Sequence, residues 1–212
     1  MKRKSRKNEV ITCFRIITLG DCFVGKTSII RTLANENFNS ETFSTTGINF
    51  SIKEFTMNDN HKIELKVIDT CGQEKYRSLS KSYFKNVDAV LFVFSLNDNK
   101  SFDSIKKWIE LYDTNSSSLM ALKYLVGNKN DLEETIDQKL IVEFSNENDI
   151  PFIRTSAKDN SSIQGLFEDI AQKLYKIYKN SNVGKGKQRK SRVSLSRSIE
   201  KNNSCCIHRV DL

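Results

Sequence analysis

Histidine is nearly missing from this chain: His61 and His208 are the only two in 212 residues. That scarcity leaves little room for a serine–histidine triad or a zinc site built on imidazoles. The five cysteines, Cys13, Cys22, Cys71, Cys205 and Cys206, include no CxxC pair. Their spread excludes a disulfide framework and implies a reducing compartment. No apolar run approaches the ~20 residues that a membrane-spanning helix needs. The N-terminal MKRKSRKNE shows no secretory cleavage pattern and no glycine at position two, so neither export nor myristoylation is expected. Internal repeats are absent as well.

Acidic charge is scarce at both ends. Residues 1–9 hold five Lys/Arg and one Glu, and residues 181–212 hold eight Lys/Arg and two acids. The formal net charge of +8 therefore sits in the arms, because residues 10–180 carry 21 basic side chains against 23 acidic ones. The chain divides into a basic N-terminal arm (1–9), one globular domain (10–180) and a flexible basic tail (181–212). Basic arms attract polyanions, either an anionic membrane leaflet or nucleic acid. The membrane is the expected partner here, and nucleic acid is not.

Between the arms, strand and helix patterns alternate. CFRIITLG (13–20) reads as a strand and TSIIRTLANENF (27–38) as a helix. INFSIKEFTM and HKIELKVID flank the turn NDN and read as a hairpin. AVLFVFSL (89–96) is a short bounded apolar run, as expected of a strand buried on both faces. Residues 101–113 have helical periodicity, with Phe102, Ile105, Trp108, Ile109 and Tyr112 on one side. A strand ALKYLVGN, a helix DQKLIVEFSNEN, a strand PFIRTS and a long helix over 162–180 follow. The pattern predicts a three-layer α/β domain.

Four short motifs carry chemistry. Gly20, Asp21, Cys22, Phe23, Val24, Gly25, Lys26 and Thr27 fit G-x-x-x-x-G-K-[ST], and Ser28 continues into the helix. The copy follows a strand and opens a helix, so loop amides and the helix N-terminus would point partial positive charge at phosphate. Lys26 would bridge the β- and γ-phosphates, and the Thr27 hydroxyl would ligate Mg²⁺. Cys22 and Phe23 add bulk at the turn of this loop, which threatens hydrolysis more than binding. In DTCGQE (69–74), Asp69 ends a strand and can hold the Mg²⁺ shell through water. Gly72 there offers an amide to the γ-phosphate, and Gln73 could orient an attacking water. In GNKND (127–131), Asp131 can accept from guanine N1–H and the exocyclic amine, a pair that adenine lacks. Lys129 would lie along the base, and Asn128 would tie its loop to the ring. In TSAK (155–158), Ser156, Ala157 and Lys158 follow a strand, with the Ala157 amide placed for the guanine carbonyl.

In this order, and each after a strand, the four motifs resemble those of the Ras superfamily of small GTPases over about residues 10–180. The resemblance implies a three-layer P-loop GTPase domain, with a six-stranded, mostly parallel sheet, one antiparallel hairpin edge and helices on both faces. It implies GTP/GDP and Mg²⁺ as cofactors. Gln73, Lys26 and Thr45 become the catalytic set, with Thr45 joining Mg²⁺ and γ-phosphate only in the GTP state. Thr27, Thr45 and, through water, Asp69 become the metal set, and Phe38 the aromatic over the guanine edge.

STTGINF (44–50) and GQEKYRSLSKSYFKN are most similar to the Rab family, and no extra helix of the Rho type separates GNKND from TSAK. Similarity to Rabs implies a monomeric switch in vesicle traffic, with slow intrinsic hydrolysis and partners in an exchange factor, a GTPase-activating protein and effectors. Phe50, Ile68 and Tyr83 correspond to the effector-facing surface. Ile68 stands where Rabs usually have Trp, which unsettles effector choice. Cys205 and Cys206 would carry prenyl groups, although six residues follow them. Two lipid chains beside a basic segment make a firm anchor, on the cytoplasmic face of intracellular membranes and cycling with cytosol. Two rival readings are a GTP-loaded scaffold that hydrolyses little and a GTPase that binds nucleic acid through its arms.

Overall fold

Every residue of β4 (Ala89–Ser95) is buried, and this strand lies inside a six-stranded sheet. The computed structural model describes residues 11–35, 49–70, 81–116 and 120–183. The other strands are β1 (Thr12–Leu19), β2 (Asn49–Thr56), β3 (Lys62–Asp69), β5 (Leu122–Asn128) and β6 (Phe152–Arg154). The order is β2-β3-β1-β4-β5-β6. Among the described residues only β2 and β3 pair antiparallel, with Phe50 opposite Ile68; the remaining pairs are parallel. The hairpin turn closes through Asn60 N–H to Met57 O at 2.8 Å, and Asn60 takes the left-handed conformation that asparagine tolerates.

Successive strand residues face opposite sides of a sheet, and β4 divides accordingly. Ala89, Leu91 and Val93 join the core shared with Ile16, Ile29 and Phe167. Val90, Phe92 and Phe94 join the core shared with Ile17, Trp108 and Ile141. The first layer is covered by α1 (Lys26–Leu33) and α5 (Asn160–Val183), the second by α2 (Asn99–Asp103), α3 (Ile105–Asn115) and α4 (Gln138–Glu147). The three-layer expectation holds.

Two helix expectations are corrected. The helix expected over 27–38 ends at Leu33, because Asn35 turns left-handed and its N–H returns to Thr32 O at 3.0 Å. The helix expected over 101–113 begins at Asn99 and breaks at Ser104. Asp98 caps its start by accepting from Lys100 N–H at 3.1 Å. The Ser104 hydroxyl donates to Lys100 O at 3.0 Å, a back-bond that bends a helix.

The hairpin tip is fastened to α5. Asp59 Oδ2 accepts from Tyr175 Oη at 2.7 Å and Lys179 Nζ at 3.0 Å, and the His61 ring stacks on Tyr175 with centroids 5.0 Å apart. Hydrogen bonds from Tyr175 first and Lys179 second hold the Asp59 carboxyl at about 2, below its usual range.

Candidate functional site

Because β1, β3, β4, β5 and β6 run parallel, their C-terminal ends share one edge of the sheet. The segments after β1, β3, β5 and β6 therefore converge, where open α/β sheets bind ligands. Residues 20–25 pass from β1 into α1 with almost no free space. A Cβ on Gly20 would lie 2.0 Å from Val93 O, and one on Gly25 would lie 2.2 Å from Asn128 Nδ2. Gly25 also has φ +98°, which strains any other residue. Phe23 breaks that pattern: a bulky residue at φ 62°, its side chain 70% exposed.

Lys26 is buried, and its Nζ donates to Gly20 O at 2.8 Å and Asp21 O at 2.7 Å. The Thr27 hydroxyl donates to Asp69 Oδ2 at 2.7 Å, while Ser28 is half-buried in the first turn of α1. Asp69 is itself buried, and its Oδ1 has no hydrogen-bond partner. Burial pushes this carboxyl up, opposed by the Thr27 hydrogen bond and the charges of Lys26 and Arg31.

The segments after β5 and β6 are tied to this loop. Buried Asn128 donates through Nδ2 to Val24 O at 2.9 Å and accepts from the Thr155 hydroxyl at 3.3 Å. Thr32 on α1 donates to Ala157 O at 2.7 Å. Lys129 sits at φ 64°, and burial lowers its amine against the opposing charges of Asp98 and Asp131. Asp131 accepts from Ser156 Oγ at 2.7 Å and pairs with Lys158 Nζ at 2.7 Å. Partial burial pushes the Asp131 carboxyl up, but the Lys158 and Ser156 hydrogen bonds outweigh it and the net displacement is downward.

The structure thus brings residues 20–28, Asp69, Asn128, Lys129, Asp131, Ser156, Ala157 and Lys158 to one edge. Phe38, Thr45, Cys71, Gly72, Gln73, Cys205 and Cys206 lie outside the described residues. Phe50 is 60% exposed, with Lys66 Nζ 4.0 Å from its ring centroid, and Tyr83 is half-buried. Ile68 is corrected: at 4% exposure it belongs to the core beside Phe84 and Val87 and presents no partner-facing surface. Sequence reasoning missed one contact. Trp108 Nε1–H donates to Asp21 Oδ1 at 2.7 Å, and periodicity assigned Trp108 to the core alone.

The model of the Ras family matches residues 15–176. The chain belongs to the Ras family. Among its relatives, Ras-related protein Rab-18 of Lymnaea stagnalis is 33% identical over 171 residues, covering 79% of this chain and 83% of that protein. GTP-binding protein ypt3 of Schizosaccharomyces pombe is 30% identical over 184 residues, covering 85% of each. GTP-binding protein YPT1 of Saccharomyces cerevisiae is 29% identical over 179 residues, covering 84% of this chain and 86% of that protein. This Ras-family chain is a small GTPase of the Rab type, a GTP hydrolase that regulates vesicle traffic.

Proposed function

We propose that this Rab-type GTPase switches through a Mg²⁺-dependent nucleotide site made of the residues assembled at that edge. The observation that carries the reading is the Thr27–Asp69 pair: hydroxyl on carboxylate at 2.7 Å, beside a buried Asp69 oxygen that lacks a partner. A hard cation fits that donor set, with Thr27 as a direct ligand and Asp69 through water. Mg²⁺ bound there neutralises charge on the β- and γ-phosphates.

The chain's own groups do the rest. The amides of residues 21–28 cradle the phosphates, and Lys26 meets their charge from its seat on the Gly20 and Asp21 carbonyls. Asp131, held by Ser156 and Lys158, accepts from guanine N1–H and amine, and it rejects adenine because a carboxylate would lose its donors. Lys129 and Phe38 cover the base, and the Ala157 amide donates to its carbonyl. Thr45 and Gly72 hold the γ-phosphate, and Gln73 orients the attacking water. Loss of the γ-phosphate releases both segments.

Effectors read the GTP state near Phe50 and Tyr83, while an exchange factor and an activating protein set the two rates. The tail, prenylated on Cys205 and Cys206, holds the monomer on the cytoplasmic face of a membrane, from which it cycles to cytosol.

Binding and single-turnover hydrolysis test the reading. GDP and GTP are expected to bind tightly only with Mg²⁺, and ATP hardly at all. Asp131→Ala should erase the guanine preference, and Gln73→Ala should bind GTP but hydrolyse it at least tenfold more slowly. Equal affinity for ATP and GTP would overturn it.

A further inference from the structure

Trp108 is the chain's only tryptophan. It stands on α3, and its ring is buried in the second core at 8% exposure, in one cluster with Ile105, Tyr112 and Phe92. The single polar atom of that ring leaves the cluster: Nε1–H donates to Asp21 Oδ1 at 2.7 Å, across 87 residues of sequence. Asp21 is the second residue of the phosphate loop and the only acid between Gly20 and Ser28. Its carbonyl is already engaged, accepting from Lys26 Nζ at 2.7 Å. One residue of the loop is therefore gripped twice, by its main chain from inside the site and by its side chain from α3.

The second grip has an electrostatic consequence. A carboxylate inside a loop that cradles phosphates repels them if it can swing toward them, and the repulsion grows as water is excluded. A partly buried hydrogen bond with an ionised acceptor is among the stronger polar contacts. The indole is itself immobilised by core packing, so the donor does not follow the carboxylate if the loop shifts.

We propose that Trp108 is a positioning residue for the nucleotide site: it holds the Asp21 carboxylate against α3, off the phosphates, and thereby slows nucleotide release. The inference rests on residues 20–27 being the phosphate site. The partner in this link is a helix of the second core, so disturbance of α3 reaches the phosphate loop without touching any group that binds nucleotide.

The lone tryptophan allows a clean test. Biosynthetic replacement of tryptophan by its benzothienyl analogue alters this position alone, keeps the ring's size and deletes the N–H. Release of fluorescent GDP into excess unlabelled GDP is measured for the full chain with Mg²⁺. The substituted protein should release GDP roughly tenfold faster, the factor expected for one hydrogen bond to a charged group. Asp21→Ala, which removes the repelling carboxylate, should release GDP no faster than the unaltered chain, and made in the substituted protein it should cancel the acceleration. A merely structural tryptophan would give an unchanged rate, or an acceleration that persists undiminished with Asp21→Ala, and either result overturns the proposal. Trp108→Phe, which retains an aromatic ring without the donor, repeats the cycle if the analogue does not fold. Failure to bind GDP at all would overturn the reading of the site itself; binding with unaltered release overturns only the role of Trp108.

Discussion

At Phe23 the backbone occupies the left-handed region, where a bulky side chain is strained by about 1–2 kcal/mol. With the ring 70% exposed, little burial offsets that strain. Phe23→Gly should therefore raise stability by up to about 1 kcal/mol after the added freedom of the unfolded chain is counted, as denaturant unfolding would measure. A loss of 1 kcal/mol or more would mean that the ring packs on something in solution. Gly25→Ala runs the other way: at φ +98°, with its Cβ 2.2 Å from Asn128 Nδ2, it should cost about 2 kcal/mol or more and weaken GDP binding. Asp69 ties stability to pH. Its folded value is raised, so its contribution is intact at acid pH and is lost as pH rises through that value. Asp69→Asn should accordingly raise the melting temperature of the nucleotide-free protein at pH 8, by much less at pH 4, while weakening Mg²⁺-dependent binding. Melting scans with chelator at the two pH values check this.

At the level of elements, the clasp between the β2–β3 turn and α5 makes a prediction of opposite sign. Asp59 is held at about 2 against an ordinary 3.8, so its contribution is present above pH ~4 and is lost as pH falls toward 2. Unfolding curves at pH 4, 3 and 2 should fall more steeply for the wild type than for Asp59→Asn; parallel slopes would deny the clasp any part in stability. The strands of the sheet were legible from sequence because each is a bounded apolar or alternating run, and β4 the most so, being apolar on both faces. The ends of the helices were less legible. Ser104 and Asn35 stop or bend a helix through a hydroxyl back-bond and a left-handed turn, and neither signal stands out from ordinary helix residues in a periodicity argument. Ile68 was misjudged for a related reason: a position borrowed from a family pattern says nothing of burial, and here the side chain is part of the buried core that also holds Phe84 and Val87.

Across the whole molecule, the site is a meeting of segments more than a hundred residues apart, joined by Asn128 to Val24 and Thr32 to Ala157. Its motifs were readable because phosphate and guanine each demand fixed residue types in short spans. The Trp108–Asp21 link was not, since no local pattern announces a hydrogen bond spanning 87 positions. Ligand that binds only the folded chain stabilises it by mass action, about 2.7 kcal/mol at one hundred times its Kd. GDP with Mg²⁺ should therefore raise the melting temperature, chelator should cancel most of the rise, and ATP should leave it unchanged. The buried Asp69 oxygen without a partner carries this further. If Asp69 serves the proposed site, the emptied chain should be cleaved by protease faster than the chain with GDP and Mg²⁺, as limited proteolysis would measure. Depletion of guanine nucleotide in cells should then shorten the protein's lifetime, as a pulse-chase measurement would show.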